Sequence, residues 1–230
     1  MNQGKALALA AVTAVALPAS AMQAGDAVAV PGRLSDADFY RLVSCAAPPG
    51  GECTKPVLRW SAERPIRVAL RQIDPTYLGR RKHRAEAALT RALQALNAAD
   101  AGFRLARVGP TDRAEIAVYF LDLETGDSIA GTGIEGVDGA EIGATATRLQ
   151  IEPDSERIRG AAIVVSTSLE TSAFEAAMLK QMTRAMGLMT ELDAPAYAGL
   201  SALAYATHTL THLGLQDIAA LRRHYAAPAR

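Results

Sequence analysis

The stretch from Ala85 to Leu96 constrains the fold most strongly, because its apolar residues recur at helical spacing. Alanine and leucine side chains stand at positions i, i+3, i+4 and i+7, and charged or polar residues fall between them. This pattern is typical of an amphipathic helix that buries one face. Such a helix needs a second layer to cover that face, and the flanking sequence indicates a β-sheet.

Strand patterns lie on both sides of this helix. Residues 65–70 and 103–108 alternate apolar with polar side chains, and residues 116–121 form the continuous apolar run of a central strand. Further strands are predicted at 57–60, 148–151 and 161–165, and further helices near 39–43, 172–189 and 216–225. We therefore predict a single α+β domain over residues 36–230, preceded by a flexible segment at 22–35.

The N-terminus has the features of a secretory signal peptide. Lys5 precedes an apolar run from Ala6 to Leu17, Pro18 interrupts the run, and the small residues 19–21 match a signal-peptidase site. This run is too short to span a bilayer, which takes about 20 apolar residues. We expect residues 1–21 to be removed and the mature chain to reach the periplasm or the cell exterior without membrane insertion.

The overall charge excludes one class of partner. Lys and Arg number 24 and Asp and Glu also number 24, so the formal net charge is 0. A chain this neutral offers no general electrostatic attraction for nucleic acid.

The two cysteines, Cys45 and Cys53, flank a short segment that contains Pro-Pro-Gly-Gly. Thiols held close by a turn should pair in an oxidising compartment, so we predict a disulfide. A metal pair and a reactive thiol are the alternatives.

A glycine-rich segment spans residues 124–143. Its acidic residues do not keep the spacing of a calcium-binding loop. We expect a long flexible loop or an irregular hairpin.

Residues 180–190 resemble the zinc-binding helix of metzincin peptidases, His-Glu-x-x-His-x-x-Gly-x-x-His. The segment keeps the Ala-x-Gly-Leu ending and has Gly187 at the motif glycine. Residues 201–205 are similar to the metzincin Ser-x-Met-x-Tyr turn, with Leu203 in place of methionine. Over residues 39–225 the chain also resembles the domain-of-unknown-function 2927 family, including Arg-Trp at 59–60 before the first strand.

The resemblance implies a zincin-like α+β fold. Its mixed sheet would be accompanied by a long first helix, a degenerate active-site helix and a C-terminal helix.

The side chains that zinc chemistry requires are absent from this motif. Lys180, Arg184 and Thr190 stand at the three ligand positions, and Gln181 stands at the general base. Zinc binds imidazole, thiolate or carboxylate, whereas lysine and arginine are cations. We therefore expect no cofactor and no catalytic residue.

Helical geometry gives Lys180 and Arg184 two interpretations. At 100° per residue, both point away from the apolar stripe that contains Met178 and Met182. They would line a retained cleft and bind an anionic group such as a peptide C-terminus, or they would form a solvated helix face.

His208 and His212 are the alternative metal pair, because residues four apart share one face of a helix. No glutamate accompanies them between Thr207 and Gly214, so we expect surface or turn histidines.

Together these features favour an exported, non-catalytic binding or structural module, a pseudoenzyme whose partner is a protein or peptide of the cell envelope. The alternatives are an exported metallopeptidase or hydrolase with a non-standard ligand set, and an envelope-assembly factor that works through the glycine-rich segment.

Export can be tested on the mature protein. We expect its chain to begin at Met22 and to carry no free thiol, because residues 19–21 form a cleavage site and the cysteines pair. Intact-mass spectrometry with and without reductant measures both. A full-length mass, or two thiols that alkylate without reductant, would contradict the prediction.

Overall fold

The computed structural model describes residues 27–205 and 209–226, so the predicted signal peptide lies outside the described part. In this part the helices are α1 (Asp36–Cys45), α2 (Arg80–Ala98), α3 (Phe174–Ala185) and α4 (Leu215–Tyr225). The strands are β1 (Ala27–Ala29), β2 (Arg59–Trp60), β3 (Ile66–Ile73), β4 (Leu105–Val108), β5 (Ile116–Leu121), β6 (Thr145–Ile151), β7 (Arg157–Ser166) and β8 (Glu191–Asp193). Every strand and helix predicted between residues 36 and 225 has a counterpart here.

The main sheet is mixed and mostly parallel. β3 pairs in parallel with β4 and β5, and β5 pairs in parallel with β7. β6 runs antiparallel along β7, and β2 joins the first two residues of β7. α2 connects the parallel neighbours β3 and β4, as a parallel crossover requires. β5 lies between two parallel strands with all six residues buried, which confirms its predicted central position.

The two faces of the sheet are covered differently. Ile116, Val118 and Phe120 of β5 belong to the main core, together with apolar residues of α2 and α3. The alternate residues of β5 face a second apolar cluster. That cluster also contains three side chains from the glycine-rich segment: Ile129, Val137 and Ile142. The segment is therefore an irregular loop, as predicted, but it is not a flexible one, because these side chains anchor it onto the sheet; Ser128 and Glu141 form one isolated bridge within it.

The described part of the N-terminal segment is ordered, contrary to the prediction of flexibility over 22–35. β1 pairs in parallel with β8, and Val30 is buried. Strand pairing supplies the order here, and small residues such as Ala27 and Ala29 give no local sign of it.

Cys45 and Cys53 form the predicted disulfide. Cys45 ends α1, and Ala46 takes a left-handed conformation with a φ of 55°, which turns the chain back towards Cys53. Among the described residues, no helix is long and apolar enough to cross a membrane.

Truncation of Met182 tests the core that positions α3. Its side chain is fully buried in the main core, so Met182→Ala should lower the free energy of unfolding by about 2–5 kcal/mol. Lys82→Ala, on the exposed side of α2, is the control and should change it by less than about 0.5 kcal/mol. Urea denaturation measures both variants. Equal small effects would show that α3 does not pack as described.

Candidate functional site

α3 is buried around its whole circumference. It packs on α2, on β6 and on β7, and every residue of the helix except Glu175 is buried. Lys180 is 1 % exposed and Arg184 is 3 % exposed. Both earlier interpretations, an accessible cleft and a solvated face, are therefore wrong about exposure. The side away from the apolar stripe is covered by the chain that follows the helix.

Glu191 of β8 provides a carboxylate that both cations share. Lys180 Nζ lies 3.0 Å from Glu191 Oε2, and Arg184 Nη1 lies 3.0 Å from Glu191 Oε1. The carboxylate is itself buried, at 5 % exposure. The anion that these side chains bind in the structure is thus internal. We call Lys180, Arg184 and Glu191 the ion triad.

The Lys180 ammonium group is fully engaged. Besides Glu191, its Nζ donates hydrogen bonds to the carbonyl oxygens of Ala204 at 2.6 Å and Tyr205 at 3.2 Å. Three acceptors match the three protons of an ammonium group. Burial lowers the pKa of Lys180, and the Glu191 charge opposes that shift. The group therefore acts as a structural donor between α3 and the turn at residues 201–205.

Gln181 ties the helix to the edge strand β6. Its Oε1 accepts a hydrogen bond from Thr147 Oγ1 at 2.7 Å, and its Nε2 donates to Thr145 Oγ1 at 2.8 Å. Arg184 Nη1 also donates to the same Oε1, at 3.3 Å. The side chain at the general-base position of the motif is therefore locked into contacts with β6 and Arg184.

Positive charge is in excess around the ion triad. Arg148 of β6 is 9 % exposed, and burial together with the Arg184 charge lowers its pKa. The same two causes lower the pKa of Lys55. Arg184 Nε is buried and finds no hydrogen-bond partner within residues 27–205 and 209–226. Arg148 and Lys55 thus both lie close enough to Arg184 for its charge to disfavour theirs.

Thr190, the third predicted ligand position, donates a backbone hydrogen bond from its N–H to the Val43 carbonyl oxygen. The residue that pairs with Lys180 and Arg184 is the next one, Glu191. Sequence reasoning missed Glu191 because it lies just outside the motif. The available signal was the pair of carboxylates, Glu191 and Asp193, in the short segment from Leu188 to Ala194 that follows the helix with the two cations.

Gly187 occupies a position that only glycine fits. Its φ is 96°, and a Cβ atom there would overlap the Leu58 carbonyl oxygen and lie 2.8 Å from His224 Nε2. His224 Nε2 is itself 2.9 Å from the Leu58 carbonyl oxygen, and burial lowers the pKa of His224 to about 4. The end of α3 is therefore held tightly against α4 and the strand region near β2.

Asp217 of α4 fixes the turn at residues 201–205. Its carboxylate accepts hydrogen bonds from Ser201 Oγ at 2.6 Å, Ala202 N at 2.7 Å and Gly214 N at 2.8 Å. Burial raises the pKa of Asp217, and these bonds oppose that shift. Leu203, which stands where the similar metzincin turn has methionine, is fully buried. The turn thereby presents its Ala204 and Tyr205 carbonyls to Lys180.

The alternative histidine pair is described only in part. His212 is exposed, and His208 lies outside the described residues. Within the described ranges, no three His, Cys, Asp or Glu side chains are grouped so that they could hold a metal ion.

Comparison with known proteins gives no family. No protein-family model matches the chain, and no curated protein is significantly similar to it.

Removal of the shared carboxylate tests the ion triad. Glu191→Gln leaves Lys180 and Arg184 buried without their anion, so it should lower the free energy of unfolding by about 3–5 kcal/mol. Glu152→Gln is the control, because Glu152 pairs with Arg157 on the surface and should cost less than about 1 kcal/mol. Urea denaturation near neutral pH gives both values. An effect of Glu191→Gln as small as the control would contradict the triad.

Proposed function

We propose that the protein is an exported, non-catalytic binding or structural module on a zincin-like scaffold, in other words a pseudoenzyme. The observation that carries this proposal is the ion triad. At the two helical ligand positions of the metzincin motif stand Lys180 and Arg184, and both are joined to Glu191. An internal charge network takes the place that a metal would need.

The residues present do not fit zinc. A guanidinium has no lone pair to offer, and the Lys180 ammonium group uses its protons on three acceptors. Each cation also repels a divalent metal ion in a low-dielectric interior. Gln181 has no basic atom that could take a proton from water, and its amide is engaged by Thr145 and Thr147. We therefore propose that zinc-dependent hydrolysis has been lost.

The scaffold part of the proposal rests on several elements together. The resemblance implies a mixed sheet, a long helix and an active-site helix that ends in a glycine turn, and the main sheet, α2, and α3 followed by Gly187 are compatible with it. The turn at 201–205 and α4 follow in the implied order. The resemblance to the domain-of-unknown-function 2927 family is proposed on the same grounds.

The ion triad also explains how such a scaffold would hold together without metal. A zinc ion in the motif would join two positions of the helix to the chain beyond the glycine. Glu191 makes the same connection, because it links Lys180 and Arg184 to β8 after Gly187. A salt bridge would thus replace a coordination bond as the cross-link.

Export is the remaining part of the proposal. The Cys45–Cys53 disulfide is consistent with an oxidising compartment, where such bonds form and persist. A non-catalytic role in that compartment requires a binding surface elsewhere on the molecule.

Conversion of the triad into a zinc site tests the proposed scaffold. Lys180→His with Arg184→His would place two imidazoles next to Glu191, a His₂Glu set of the kind found in catalytic zinc sites. We expect this double variant to bind zinc in equilibrium dialysis and to melt at higher temperature with zinc, because a ligand of the native state stabilises it. The unmodified protein should show neither effect.

Two controls separate imidazole ligation from charge removal. Lys180→Asn with Arg184→Asn removes the same cations without adding ligands, and Glu191→Gln in the histidine background removes the third ligand. Neither should bind zinc. Stoichiometric zinc in the unmodified protein would refute the pseudoenzyme proposal. A folded double histidine variant that does not bind zinc would refute the zincin-like alignment.

A further inference from the structure

A groove lies at the amino ends of parallel strands of the main sheet, and no residue of the ion triad lines it. Its volume is about 900 Å³, and it borders the starts of β3 and β7 and the residues just before β5. Apolar side chains of Ala106 and Val108 contribute to its lining. Five arginines surround it: Arg64, Arg67, Arg113, Arg157 and Arg159. We call this the arginine groove.

Three of these arginines have no internal partner. Arg67 is held by Glu115, with Nη2 to Oε1 at 2.6 Å and Nε to Oε2 at 3.1 Å. Arg157 Nε lies 3.8 Å from Glu152. Arg64, Arg113 and Arg159 are exposed, and their side chains have no hydrogen-bond or ion-pair partner in the described ranges. Free guanidinium groups around one concavity focus a positive potential into it.

The surrounding charges also limit what the groove can bind. Glu63, Glu115 and Glu152 line it as well, so five arginines and three glutamates leave a net charge of +2. This modest excess suits single carboxylates that are spaced apart, and it disfavours a dense polyphosphate. Guanidinium groups bind carboxylates with paired hydrogen bonds. The apolar lining leaves room for small side chains between the charges.

We propose that the arginine groove binds an acidic, extended segment of a partner protein through its Asp and Glu carboxylates. The volume lies in the range of about 300–1,000 Å³ that is typical of ligand sites, enough for a few residues. Arg64, Arg113 and Arg159 pair with the carboxylates of that segment, and Arg67 and Arg157 stay with their internal partners. The inference rests on the proposed binding function and names its partner class.

Fluorescence anisotropy with a labelled short peptide of alternating Glu and Ala tests the site. We expect saturable binding by the unmodified protein and none with a matched peptide of alternating Lys and Ala. Arg113→Gln with Arg159→Gln should weaken binding about tenfold, as expected for the loss of two partly exposed charge pairs. Arg80→Gln with Arg84→Gln removes the same charge from the exposed start of α2 and should leave the affinity unchanged.

Each other outcome overturns the inference. Absence of saturable binding, or equal weakening by the two double variants, would show that the groove is not a specific site. Displacement of the peptide by equimolar pyrophosphate would assign the groove to a phosphate ligand instead. Circular dichroism would show whether the two double arginine variants are folded. The zinc measurements decide the pseudoenzyme proposal separately, so failure of the peptide in a zinc-free protein overturns only the groove.

Discussion

The buried carboxylate of Glu191 is the interaction on which the rest of the site depends. It neutralises one of two cations on α3 and is shared by both, at 3.0 Å from each. Without it, Lys180 and Arg184 would be charges in a core that excludes water, which is strongly destabilising. Lys180 in turn joins α3 to the turn at 201–205, because it also donates hydrogen bonds to the Ala204 and Tyr205 carbonyls.

The side chains of this network stabilise the fold and are not free to take part in catalysis. In the proposed zincin-like scaffold, α3 keeps its place between α2 and β6, but the residues at the ligand positions form bonds within the protein. Gln181 is likewise committed to β6. The residues in the region that would be the active site therefore cross-link α3 to β8. The proposed binding of a partner takes place at a different surface. The proposed arginine groove carries three guanidinium groups that no internal acid neutralises.

Features encoded by local patterns were predictable from the sequence. The periodicity of α2, the apolar run of β5 and the turn between Cys45 and Cys53 depend on neighbouring residues, and the structure contains all three. Gly187 was identified from its resemblance to the motif glycine, and the structure gives the physical reason for a glycine there: a Cβ atom would overlap the Leu58 carbonyl oxygen.

Features that depend on distant parts of the chain were not predictable. Helical periodicity placed Lys180 and Arg184 off the apolar stripe, but it could not show that β8 and the following turn cover that side. Glu191 begins β8, and β8 pairs with β1 from the distant N-terminal part of the described chain. The order of residues 27–30 has the same origin, since Ala27 and Ala29 become a strand only through that pairing.

The metal content of the native protein tests the central claim most directly. Native protein purified without chelator would be analysed by inductively coupled plasma mass spectrometry. Because cations stand at the two helical positions that would hold zinc in the proposed scaffold, we predict zinc far below one ion per chain. One zinc ion per chain, retained through dialysis, would contradict it.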